Sequence, residues 1–473
     1  MSLNKLDELK NDIPEVDNIL NNKIFEKYNK SNKKPNILYL HKKLILSLSA
    51  LIIIVSGVVA LILANSIETK PNYEKPTLLY AAKDLEKYPL DAEGLDIFID
   101  KTQEFGYVLT ESYYNEYNDY SKNIAISPIS IYMGLAMLAE CSNDSAKEEI
   151  LNALGITYEE MITHTESLYE YINRNNNDKY NRTILNNSIW FNHTLDLNND
   201  TLYNLSNKYY CTSYDVDFLK KNKDANNAIR DYIKQSTNGL IDQDFKLSQE
   251  TLFTLINTLY LKTVWDLEEL EMSEKNYTFY NADGTTTSIK FVEDTYVVGK
   301  AYETEEYKHF YIRSDGGYVF KFIMPKDGYI LEDIFIKENL NVINNIDEYN
   351  GVDYINNIKY ETRVIFPEFT ASSDNSINNI LKEDFNINEV FDINSNPLNV
   401  MDDNVACGDI KHIAKLNVNR RGIEGAAVTL VPGPTAAPPM TIVKNDIVLD
   451  RAFGYVITDH KDNILFSGVV NKI

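Results

Sequence analysis

The chain has 473 residues, 44% of them hydrophobic, which is enough to fill one large core or two ordinary ones. Its formal charge of -24 speaks against nucleic acid as a partner, because holding phosphates takes clustered lysine and arginine. The three cysteines, Cys141, Cys211 and Cys407, are odd in number and widely spaced, which excludes a disulfide framework or a CxxC pair and predicts free, mostly buried thiols.

Along the chain, residues 44–64 (LILSLSALIIIVSGVVALILA) come first as an uncharged apolar run, and a helix of about 20 such residues crosses a bilayer. The alternative is a cleaved leader, but a cut after Ala64 would put bulky Ile62 at the -3 position, so the run is taken as an anchor. Lys27, Lys30, Lys33, Lys34, Lys42 and Lys43 precede it, against only Lys70 and Lys75 close behind, and this bias keeps residues 1–43 cytoplasmic. The expectation is a single-pass membrane protein with its C-terminal part extracytoplasmic. Residues 65–92, with Pro71, Pro76 and Pro89 among charges, are expected to be a spacer, and residues 93–473 the folded domain.

The domain opens with helices. Ile97, Phe98, Phe105, Val108 and Leu109 repeat at helical spacing, and MGLAMLAE (133–140) continues in that manner. Residues 145–155 (SAKEEILNALG) carry the marks of a complete short helix, with Ser145 as N-cap, Glu148 closing a capping box and Gly155 as terminator. Strand-like runs dominate afterwards, at 188–191, 251–265, 319–324, 362–366, 415–418, 453–458 and 465–470. Helices early and strands late predict an α+β fold with large mixed or antiparallel sheets. The six histidines (His41, His164, His193, His309, His412 and His460) show no HExxH-type spacing, so no metal and no cofactor is expected.

Five segments in consistent order resemble the serpin family over about 94–473. They are NIAISPIS (123–130) with the helices after it, NSIWF (187–191), NTLYLKTVW (257–265), LKEDFNINEVF (381–391), and the C-terminal LDRAFGYVITD with LFSGVVN. Asn386 stands where the family usually has glycine. The resemblance implies a large central sheet, further sheets, eight to nine helices and an exposed reactive-centre loop near the C-terminus. It places Ser127, Asn257 and His412 in one buried polar cluster beneath the main sheet, where the central strands must part, and Trp265 near the top of that sheet. The same three polar residues could be mistaken for a catalytic triad, but no GxSxG elbow surrounds Ser127, and the chain is not expected to be an enzyme.

Residues 422–446 (GIEGAAVTLVPGPTAAPPMTIVKND) are small and rich in Pro and Gly, and they fall where the family carries its reactive loop. Serpins are suicide inhibitors whose cut loop enters the main sheet as a new strand. Gly422, Ile423, Glu424, Gly425, Ala426, Ala427, Val428 and Thr429 would form the hinge that enters first, with Glu424 on the solvated face. Counting as the family does, the scissile bond falls at Ala436 and Ala437, with Thr435 or Met440 as alternatives. Alanine there implies an elastase-like or subtilisin-like serine protease as partner, met by a monomer. Against insertion stand Arg420 and Arg421 in place of the usual acids, Ile423 in place of a small hydroxyl, and Pro432 and Pro434, which lack ladder donors. If Ile423 and the two prolines block insertion, the chain is instead a non-inhibitory binding or recognition module on the same scaffold.

Overall fold

The computed structural model describes residues 73–85, 92–174, 178–244, 246–265, 270–345, 351–399, 405–424 and 440–473. The chain divides into two units, Met1–Asn72, which lies outside the described residues, and Tyr73–Ile473. The second unit begins with helices whose limits follow from local chemistry. α1 (Ala92–Tyr117) is followed by β2 (Ile124–Ile126) and α2 (Pro128–Glu140). Ser127 caps α2 by accepting from Ser130 N–H, and Pro128 sits at the first turn, where a missing N–H is harmless. α2 is apolar nearly all round and accordingly buried on nearly all sides.

α3 (Asp144–Leu154) ends as expected on Gly155 in the left-handed region (φ 69°). Its start corrects the expected cap: Asn143, two residues before Ser145, accepts from Ala146 N–H and begins the helix one turn-half earlier. α4 (Tyr158–Arg174), α5 (Asn199–Lys208), α6 (Asn222–Ser236), α7 (Leu331–Ile334), α8 (Lys337–Asn344) and α9 (Asn378–Glu383) complete nine α-helices among the described residues. After α9, Asn386 takes φ 56°, which accounts for a glycine preference at that place.

The main sheet has seven strands. β1 (Thr77–Tyr80) lies at one edge beside β4 (Cys211–Val216), then β3 (Arg182–Asn192) and β5 (Phe253–Val264). The two-residue β11 (Gly422–Ile423) comes next, then β10 (Lys411–Asn419), and β9 (Phe369–Ser376) forms the other edge. A second sheet of six strands runs from the short edge strand Tyr302–Glu303 through β6 (Tyr307–Arg313), β7 (Val319–Pro325), β13 (Phe453–Thr458) and β14 (Ile464–Val470) to β2. In a third, β8 (Ile358–Phe366) pairs in parallel with β12 (Thr441–Val448). This is the α+β architecture that the sequence predicts.

The strands alternate between two cores. Leu259 and Leu261 of β5 and Ala414 and Leu416 of β10 join the large core with α1 and α2. Their opposite-facing neighbours Ile256 and Ile413 pack with Trp190, Phe218 and Ile229 under α6, which therefore covers the other face of the sheet.

Three expectations need correction. Part of the supposed spacer is sheet: Thr77–Tyr80 pairs with the edge of β4, because β4 offers unpaired backbone groups there. Both ends of the expected loop are strands, Gly422–Ile423 and Thr441–Val448. The single-pass membrane localisation is also overturned. No helix among the described residues is long and apolar enough to cross a membrane, and residues 44–64 lie outside the described residues.

Candidate functional site

At the end of β10 the chain turns through Arg420 and Arg421 and comes back as β11. Ile423 faces Val418 of β10 on one side and Thr263 of β5 on the other, and Gly422 likewise faces Asn419 and Val264. β11 is thus a short wedge that holds the two central strands apart. Among the described residues, β5 and β10 share no pairing of their own below it.

Gly422 has φ 141°, and a Cβ there would lie 2.1 Å from the Thr263 carbonyl oxygen, so only glycine passes. Gly422→Ala is expected to push β11 out of the sheet and to speed hydrogen exchange at the Ile423 amide by at least about tenfold. Unchanged exchange would mean that the wedge does not depend on glycine. Ile423, where the family's usual residue is small, is buried in the large core.

Glu424 departs from the expected solvated position. It donates its N–H to Asn417 O at 3.2 Å and then leaves the ladder at φ 57°. Burial pushes its carboxyl above the usual range, against the lowering pull of the Tyr260 hydroxyl and of Lys262.

Trp265 secures the top of the gap. Its indole N–H donates to Asn419 O at 2.8 Å and its backbone N–H to Arg421 O at 3.3 Å, while its ring meets Phe366 edge-on at 5.9 Å. Leu270 N–H adds a bond to Arg420 O at 2.9 Å. The turn is therefore bonded through its carbonyls, so Arg420 and Arg421 are compatible with it.

Deeper in the gap, the expected polar cluster divides in two. His412 Nε2 accepts the Ser127 backbone N–H at 3.0 Å, while Ser127 Oγ donates to Ser130 Oγ at 3.0 Å. Burial holds the imidazole neutral, with its pKa lowered to about 4. The ring nitrogen near Ser127 already accepts a main-chain proton and the hydroxyl points elsewhere, so this pair is not a nucleophile and its base. Asn257 does not join it: its amide donates across the strand pair to Asn187 Oδ1, and Asn187 in turn donates to Tyr209 O at 2.6 Å. Asn257 Oδ1 is buried with no hydrogen-bond partner among the described residues. Asn187 and Ser130 went unrecognised in the sequence, since only the register of β3 against β5 and the α2 cap bring them in.

Gly425, Ala426, Ala427, Val428, Thr429, Pro432, Pro434, Ala436 and Ala437 lie outside the described residues. The three thiols are free, as expected, with Cys141 and Cys211 buried and Cys407 partly so.

Comparison with known proteins agrees with this geometry. Serpin-Z4 of Arabidopsis thaliana is 24% identical over 373 residues, covering 74% of this chain and 91% of that protein. The native state of the thermophilic serpin tengpin superposes with a TM-score of 0.68 at 21% identity, covering 85% of this chain and all of the other. Human thyroxine-binding globulin superposes at 0.65 and 20% identity, covering 80% of this chain and 99% of the other. The family described as serpin, serine protease inhibitor, matches residues 100–473, nearly the whole of the described unit. With β10, the returning wedge β11 and the C-terminal strands in that order, this chain belongs to the serpin family.

Proposed function

We propose that this protein inhibits serine-type proteases as a suicide substrate, with Ala436 and Ala437 flanking the cut bond and the hinge from Gly422 to Thr429 entering the main sheet. The observation that carries the reading is the wedge itself. β11 occupies the first two positions of a new strand between β5 and β10, and no pairing of those strands closes the path below it among the described residues.

Carried downward, the register of β11 seats Gly425 between Leu261 and Leu416, Ala427 between Leu259 and Ala414, and Thr429 between Asn257 and His412. The inward-facing hinge residues are small where the flanking strands present leucines, as insertion into a nearly filled core requires. The one inward hydroxyl, that of Thr429, arrives opposite the unpartnered Asn257 Oδ1 and the buried His412. Glu424 falls opposite Lys262 on the other face.

The same register weakens the objection from the prolines. Pro432 would face Thr254, one residue from the end of β5, and would already be past Lys411, where β10 begins. Pro434 would lie beyond both strands. At most one ladder bond is then lost, about 1 kcal/mol. Small residues at the cut bond fit an elastase-like or subtilisin-like primary pocket.

The competing reading, a non-inhibitory binding module, takes support from the similar fold of a thyroxine-binding globulin and from the buried Ile423. Mixing the full chain with an elastase-like and a subtilisin-like protease and then denaturing the mixture separates the two. A denaturation-resistant complex on a gel is the expected result, with the released C-terminal peptide identifying the cut. Clean loop cleavage with both proteases left active would favour the binding module.

A further inference from the structure

Residues 73–85 run along the outer edge of the main sheet and touch four elements. β1 covers β4, with Thr77 opposite Asp215 and Leu78 opposite Tyr214. Tyr73 donates to Asp231 Oδ2 on α6 at 2.7 Å, and Glu74 pairs with Lys221 at the start of that helix. Ala82 N–H donates to Thr212 Oγ1 of β4 at 3.3 Å. On α5, Ser206 Oγ donates to Ala81 O at 2.6 Å and Ser206 O accepts from Lys83 N–H at 3.3 Å. Lys83 then reaches Glu166 on α4 and lies 5.0 Å from the centre of the Tyr210 ring. Leu79, Tyr80 and Ala82 pack against the large core, and Tyr73 against the smaller one.

A strand entering fully between β5 and β10 needs about 4.8 Å of room. β5, β3 and β4 are bonded edge to edge and α6 packs on them, so the gap opens when that half of the sheet moves away from β10 and β9. α4 and α5 pack on α2 as well, and α4 also on α1. Residues 73–85 therefore join β4 and α6 to two helices, α4 and α5, that pack on β3 and β4 and also on α1 and α2. Single half-exposed ion pairs contribute little, but here one continuous stretch of backbone carries all of the contacts. Contacts made in only one of two states shift the balance by their whole difference.

We propose that residues 73–85 are an intramolecular strap that keeps the sheet from admitting more than β11 until the loop is cut. The proposal rests on the insertion reading above. In the uncut full-length chain, spontaneous insertion would yield a form with a higher melting temperature and a loop resistant to protease. The double variant Lys83→Ala with Ser206→Ala is expected to reach that form at least about fivefold faster than the parent on moderate warming. Lys83→Ala alone is expected to fall between them, and Lys83→Arg to match the parent. Lys101→Ala, which removes a partly exposed ion pair with Glu104 outside the strap, is expected to match the parent as well. A double variant that converts no faster than the parent, or not at all, overturns the strap provided that cutting the parent's loop still raises its melting temperature. If cutting the loop raises nothing, the insertion reading itself fails.

Discussion

Ala427→Glu is expected to turn the protein from a trap into a substrate. In the register continued from β11, residue 427 enters between Leu259 and Ala414, both nearly fully buried in the large core. A carboxylate there would be buried without a partner, which costs several kcal/mol whether it stays charged or takes up a proton. Each 1.4 kcal/mol is about tenfold, so the ratio of trapped to released protease should fall by at least about a hundredfold. The rate of loop cleavage should change little, because the substitution is remote from Ala436 and Ala437. The decisive measurement is the fraction of protease recovered in denaturation-resistant complex per loop cut. A parental fraction for Ala427→Glu would mean that residue 427 never enters the sheet.

Acid is expected to destabilise the fold through two buried histidines. Burial lowers His412 to about 4 and His309 to about 3, the latter despite its hydrogen bond to Phe322 O and with a further lowering from Lys321. As pH falls below the ordinary value of about 6.5, the unfolded chain binds protons that the folded chain refuses, so stability rises with pH across this window and levels off above it. The loss is complete only below the folded values. One pKa unit is about 1.4 kcal/mol, which makes the pair worth several kcal/mol between neutral pH and pH 4. Asp459, raised by burial, and Glu424, raised likewise, pull the other way because their folded forms take up protons first. Denaturant unfolding at pH 7, 5.5 and 4.5 reads the slope, and His412→Asn should flatten it. An unfolding midpoint that is the same at all three values would refute the assignment.

Much of the fold was legible because it rests on local rules. The stop of α3 at Gly155, the strand Phe453–Thr458 and the buried helix α2 follow from backbone freedom, β-branched content and an unbroken apolar surface. The start of α3 was misplaced because Asn143 and Ser145 are both good caps, and nearby backbone from 395–397 engages Asn143. In the site, Ser127 and His412 meet through the Ser127 N–H, whereas the Asn257 amide meets Asn187. Side-chain type shows that a buried amide needs a partner, but which amide it meets depends on strand register.

From the sequence alone came the element types, the family resemblance, and a run of small residues suited to enter a sheet. Only the tertiary structure decided that Gly422 and Ile423 already sit between β5 and β10, and that residues 73–85 close the far edge of the sheet. Propensity and periodicity act over a few residues, whereas both of these features join segments more than a hundred residues apart. Pairing at that distance is selected by which backbone edges the folded core leaves open.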